Sequence, residues 1–206
     1  MSQFKAKSPF EFTGGNLCLD FADTVNGRTT DHPEELLTDY GRLLQWAEES
    51  GAIGRKTAER LHRLASENPG GAEATLRNAV QLRDALFDIF SAVAEKRAIP
   101  VAALAILNKV IRQVSHHIEI AHLNGRFMWD WLEPEANLDS MLWPVARAAA
   151  DLLCSDEIVY VRECASDTCA WLFLDKTKNH RRRWCDMKIC GNRDKARRYY
   201  QRQKVG

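Results

Sequence analysis

No stretch of the 206-residue chain approaches twenty consecutive apolar residues, so no transmembrane helix is expected. The opening MSQFKAKSPFEFTGG has no apolar run of the kind a secretory signal carries. Both absences point to a reducing cytoplasm, where paired cysteines hold metal more often than they form disulfides. Internal repeats and low-complexity segments are absent too, and the length fits one larger domain plus a small module. No acid, base and nucleophile come together in the sequence, so an enzyme is not expected. His116 and His117 do not change this, because neighbouring positions on a helix point apart and cannot readily share one ion.

Net charge is nearly absent as well, with 29 Lys and Arg against 28 Asp and Glu. Its distribution is uneven. From Lys176 to Lys204 there are twelve basic residues against Asp186 and Asp194, a local +10, which leaves the remainder at −9. A basic end on an acidic body suggests an anionic partner for that end.

Six cysteines are present, and four of them are patterned. Cys164 and Cys169, then Cys185 and Cys190, form two Cys-x4-Cys pairs separated by fifteen residues. Two short loops that each present a pair of thiolates suit the tetrahedral preference of Zn2+, and a site filled by four cysteines is structural rather than catalytic. Iron-sulfur ligation is the rival metal reading, and the two well-separated pairs fit a zinc module better. Between the pairs, WLFL from Trp171 to Leu174 reads as a strand, so a hairpin is expected to join the two cysteine loops. After Cys190 a helix is expected, with Asn192 as its N-cap. Loop, hairpin, loop and helix around one zinc make a treble-clef arrangement, which should fold only with its metal.

On the helix after Cys190, Arg193, Arg197 and Lys204 fall near one line, while Lys195, Arg198 and Arg202 fall on the adjoining face. Arg181, Arg182 and Arg183 precede the second cysteine pair. Cations at this density neutralise phosphates and release counterions. These residues are the candidate nucleic-acid contacts, and compensation of the doubly negative four-thiolate centre is the plainer alternative. Tyr199 and Tyr200 could stack on bases, although packing of at least one against the finger is the stronger expectation. His180 reads as a partner contact or a turn residue.

The body reads as mainly helical. Helices are expected around Leu17–Val25, where Leu17, Leu19 and Phe21 also allow a strand, and at Thr38–Ser50, Lys56–Glu67, Ala72–Arg97, Val101–His117 and Leu138–Cys154, the last with Pro144 as break or start. One small β-hairpin is expected in IEIAHLNGRFMWDW, centred on Asn124-Gly125. Arg83 falls inside an apolar stripe of Leu76, Val80, Phe87, Phe90 and Ala94. A buried guanidinium needs an anion, and Asp20 or Asp23 is the expected partner, either as a plain ion pair or flanking a pocket for a small polar ligand.

The run CASDTCAWLFLDKTKNHRRRWCDMKICGNRDKARRYYQR resembles the CGNR zinc finger, named for the residues here numbered Cys190, Gly191, Asn192 and Arg193. GGNLCLDFADTVNGR, Gly14 to Arg28, resembles the opening motif of the ABATE domain that usually precedes that finger, with one departure: the family commonly has Asn at the position of Asp23. The resemblance implies a stress-induced transcription regulator, with an ABATE-like helical domain over residues 1–157 and the finger over 158–206. The partner implied is nucleic acid, duplex DNA first. A small-molecule ligand of the N-terminal domain and a second copy of the chain are further candidates, and no membrane is expected. Two other functions stay open: an RNA-binding or ribosome-associated zinc protein, and a small-molecule-binding or enzymatic N-terminal domain with a purely structural finger.

Overall fold

A computed structural model describes residues 8–205, the side chains of 198, 201, 202, 204 and 205 excepted. Helix α1 (Leu17–Ala22) leads into a short ribbon of β1 (Val25–Asn26) and β2 (Glu34–Glu35). Four helices follow: α2 (Tyr40–Glu49), α3 (Arg55–Glu67), α4 (Pro69–Ala94) and α5 (Val101–Val114). Strands β3 (Ile118–Leu123) and β4 (Arg126–Trp131) form a hairpin, after which come α6 (Leu142–Leu153), β5 (Val161–Glu163), β6 (Leu172–Leu174) and α7 (Asn192–Val205). The mainly helical fold with small antiparallel hairpins and a four-cysteine finger is as the sequence leads one to expect.

Local chemistry sets most of the boundaries. Asn16, Asp39 and Asn68 cap α1, α2 and α4, their side-chain oxygens accepting from Cys18, Arg42 and Gly71 backbone N–H. Pro69 opens α4 and Pro144 lies in the first turn of α6, where a missing N–H costs nothing. Between β3 and β4, Asn124 (φ 51°) and Gly125 (φ 76°) both take the left-handed conformation of a type I′ turn, whose twist matches the flanking strands.

Helix α4 is the spine. Leu82, Leu86, Ile89 and Phe90 are fully buried, each contributing roughly 1.5–3 kcal/mol by leaving water. Helix α1 packs against α4 and α6, and Phe21 meets Trp46 of α2 with ring centroids 4.8 Å apart. The core does not stop at the end of α6. Val161 of β5 and Leu172 and Leu174 of β6 belong to the same apolar cluster, so the strands that frame the finger are rooted in the helical body. A second, smaller cluster gathers the four cysteines with Trp171, Phe173 and Trp184.

The expected partner of Arg83 needs correction. Arg83 is 3% exposed, but its anion is neither Asp20 nor Asp23: Nη1 bonds both carboxylate oxygens of Glu35, at 2.6 and 2.7 Å, and Nε bonds Asp84 at 3.0 Å. The β1–β2 ribbon, unmarked by any periodicity, is what carries Glu35 to it. Asp20 instead accepts from Gly14 N at 2.8 Å, and Asp23 accepts from Leu172 N at 2.8 Å. His117 ends a 3₁₀ turn after α5 and stacks on Trp143 at 4.0 Å, a packing role.

Candidate metal centre and basic surface

The first cysteine pair sits on a turn between β5 and β6. Cys169 N donates to Ser166 O at 3.1 Å, Ala170 takes the left-handed conformation (φ 61°), and Cys164 N closes the loop onto Trp171 O at 2.8 Å. Strand β6 therefore turns back onto β5, in the register Val161↔Leu174 to Glu163↔Leu172. The hairpin lies around the first pair rather than between the two pairs. The connection from Asp175 to Trp184 is irregular and held by side chains.

Of the second pair, Cys185 precedes and Cys190 lies in a π-helical turn, Met187–Gly191, that runs directly into α7. Its cap is Asp186, whose carboxylate accepts from Lys188 and Ile189 N–H, and not Asn192 as the sequence suggests. Asn192 instead donates from Nδ2 to Lys188 O at 3.0 Å, and Arg193 Nη1 reaches across to Thr168 Oγ1 at 3.0 Å, tying the two cysteine loops together.

All four sulfurs lie within 4.8 Å of one another and are buried. Cys185 Sγ is 3.6 Å from both Cys169 Sγ and Cys190 Sγ, far beyond the disulfide length of about 2.05 Å. The separation is close to the roughly 3.8 Å edge of a tetrahedron with Zn–S bonds of about 2.3 Å. The donor set thus fits zinc, bound through four thiolates with no position left for water or substrate. Hydrogen bonds from Cys169 and Cys185 hold the Cys164 thiol well below its usual range, so one sulfur is already a favourable anion.

The finger is seated in a socket made by the segment from Gly14 to Thr29. Leu174 N donates to Gly14 O at 2.7 Å, Trp171 Nε1 to Val25 O at 2.9 Å, and Thr29 Oγ1 to Asp167 O at 2.6 Å. A Cβ on Gly14 would stand 3.0 Å from Asp20 N and Oδ1 and from Leu19 Cβ, so a side chain there would make its neighbours give way. Asp23, 2% exposed, supplies the Leu172 acceptor with one oxygen while the other has no partner among the described residues. Burial pushes the Asp23 carboxyl up, against the pull of the Leu172 N–H. Burial likewise pushes Asp20 up to about 6.

The predicted basic residues divide by what they touch. Arg182 is a clamp: its guanidinium lies 4.3 Å over the Phe173 ring and bonds Trp184 O, Cys185 O and Thr13 O, while its backbone N–H bonds buried Asp175 at 2.9 Å. Arg197 pairs with Asp167 and with Asp194, the latter at 2.9 Å. Arg181, Arg183, Arg193 and Lys195 are exposed. The side chains of Arg198 and Arg202 lie outside the described residues. Tyr199 and Tyr200 are 61% and 66% exposed, so neither packs onto the finger as expected. His180 is a turn residue, stacked on Tyr160 at 3.8 Å with Nδ1 2.8 Å from Asp175 O. A cleft of about 330 Å³ opens beside the cysteines, lined in part by Asn26, Glu34, Trp171, Ile189 and Arg193. Asp20, Asp23 and Arg83 are not among its lining residues.

Residues 15–156 match the family model ABATE, whose description is "Putative stress-induced transcription regulator". The chain belongs to the ABATE family. Residues 160–203 match the CGNR zinc finger, and the four buried cysteines of this ABATE protein lie within it, positioned to bind a metal ion. No curated protein matches the chain. Neither matched family is one of enzymes by its description. Among the described residues of this ABATE chain, no helix is long and apolar enough to cross a membrane.

Proposed function

We propose that this ABATE protein is a cytoplasmic DNA-binding transcription regulator whose CGNR finger grips duplex phosphates, with residues 1–157 acting as the regulatory domain and 158–206 as the binding module. The observation that carries the reading is the exposure of Arg181, Arg183 and Lys195 around a buried four-cysteine centre, while Arg182, Arg193 and Arg197 are engaged in internal bonds. Cations compensating the metal centre would be expected to turn inward, and these three do not. Cationic side chains presented on one face of a rigid module are the footprint of phosphate contact. The socket supplies the route for regulation. A ligand or partner that shifts α1 acts on the finger through the Asp23–Leu172 and Gly14–Leu174 bonds.

The test is binding of the zinc-loaded protein to labelled duplex DNA and to RNA across a salt series, beside an Arg181→Ala, Arg183→Ala, Lys195→Ala variant. The expected result is tighter binding to duplex DNA and a salt slope that flattens by about 0.9 for each phosphate the variant no longer neutralises. Preference for RNA would move the assignment to an RNA-binding protein. Absence of binding to both would overturn phosphate recognition altogether.

A further inference from the structure

Among the described residues β4 has one strand neighbour, β3, so its other edge presents unpaired backbone groups, a template for a further strand. The hairpin settles which residues those are. Leu132 N donates to His117 O at 2.9 Å, and the register runs from Ile118↔Trp131 to Leu123↔Arg126. Even-numbered positions of β4 therefore bond to β3, while Phe127, Trp129 and Trp131 point their N–H and C=O outward, the Trp131 N–H donating to Asp130 Oδ1 at 2.8 Å.

The outward edge is self-complementary. When two copies of β4 meet antiparallel, outward residues must pair with outward residues, which allows a two-fold axis at 127, 128 or 129 and nothing between. An axis at Met128 pairs Phe127 with Trp129 of the other copy twice, in hydrogen-bonded positions. It also sets Arg126 opposite Asp130 twice, in the closer non-hydrogen-bonded positions where an ion pair forms across strands. An axis at Phe127 puts Asp130 against Asn124, and one at Trp129 puts Arg126 against Leu132, so either leaves both charges without a counter-ion. Strand β3 has Glu119 and neither Lys nor Arg, and offers no comparable pairing.

The exposed faces favour the same arrangement. Phe127 is 78% exposed, Trp129 59% and Ile120 56%, and they extend outward an aromatic face that begins on the core where Trp131 meets Trp143 at 5.9 Å. On the opposite face Met128 is 45% exposed. The Arg147 guanidinium lies 4.4 Å over the Trp129 ring and holds it in place. Large apolar side chains on an open strand edge mark an interface.

We propose that the chain forms a two-fold homodimer in which β4 pairs antiparallel with β4 of a second copy about Met128, giving one four-stranded sheet. The contact is isologous, so it closes at two copies. The same full-length, zinc-loaded protein tests it by sedimentation over a concentration series. The expected species has the mass of two 23.5 kDa chains. Arg126→Asp and Asp130→Arg each place like charges across the axis and should yield monomer at concentrations where the wild type is dimeric. The double swap Arg126→Asp with Asp130→Arg restores opposite charges and should restore the dimer. All these positions are exposed, and circular dichroism checks that each variant is folded. A wild type that stays monomeric throughout the series overturns the proposal, as does a dimer indifferent to the single changes or a swap that fails to rescue.

Discussion

Replacing Asp23 by Asn should stabilise the protein, although the residue is buried and hydrogen-bonded. The carboxylate is 2% exposed, and only one of its oxygens is used, accepting the Leu172 N–H at 2.8 Å. An Asn carbonyl accepts the same bond without a charge to desolvate. The unfolded carboxyl titrates near 3.8, and burial raises the folded one well above that. Between those two values the folded state holds a proton that the unfolded state has lost. Wild-type stability therefore falls as pH rises, by about 1.4 kcal/mol per unit while the gap lasts. Asp20, with its folded pKa near 6, contributes in the same direction only between about 3.8 and 6. Burial raises the Glu163 carboxyl as well, so Asp23 and Glu163 share the slope that Asp20 does not account for. Set against the gain, Asn Nδ2 inherits the place of an oxygen with no partner, at a cost of about 1–3 kcal/mol. The net expectation is a more stable protein at pH 7, read from urea unfolding of the zinc-loaded protein, with a flatter dependence of stability on pH. Asp23→Leu, which removes the acceptor and strands the Leu172 N–H, should not share that gain. An Asn variant that is less stable at pH 7, or whose stability depends on pH as steeply as that of the wild type, would refute the reasoning.

Three further outcomes are expected. Chelating the metal should lower the melting temperature of the whole chain and not of the finger alone, since Leu172 and Leu174 sit in the main core; near-ultraviolet dichroism of the buried Trp46 and Trp143 reports it, and unchanged signals there would contradict the shared core. Arg182→Met should destabilise the finger by about 2–4 kcal/mol, seen as weaker zinc retention against a chelator, because the guanidinium's bonds to Trp184 O, Cys185 O and Thr13 O and its contact with the Phe173 ring all go. Asp20→Asn keeps the Gly14 N–H acceptor and loses the charge, so its stability should decline less steeply from pH 4 to 6 than that of the wild type, the slope that remains coming from Asp23 and Glu163; parallel curves would place the titration elsewhere.

The metal ligands, the hairpin at Asn124-Gly125 and all six body helices are legible in the chain, because each is written in a local signal. Cys-x4-Cys loops, a pair of left-handed turn residues and a 3.6-residue stripe all act within a dozen positions. Self-pairing of β4 is legible in the same way once the strand phase is known, since Arg-Phe-Met-Trp-Asp reads as its own complement. The Asp186 cap is a near miss of this kind: an Asp sits inside the second pair, and the π-helical turn that follows it, Met187–Gly191, moves the capped start back from Asn192.

What the tertiary structure alone decided is the assignment of buried polar groups. Asp23 and Leu172 are 149 residues apart, Arg182 and Thr13 169 apart, and Arg83 and Glu35 48 apart. Sequence shows that a buried Arg83 requires an anion, and that requirement is met. It cannot rank Asp20, Asp23 and Glu35, because burial makes every nearby carboxylate a costly group and only the packing of α1, the β1–β2 ribbon and β6 determines which one arrives. Periodicity carries the information for elements, while desolvation energies at their contacts select the partners.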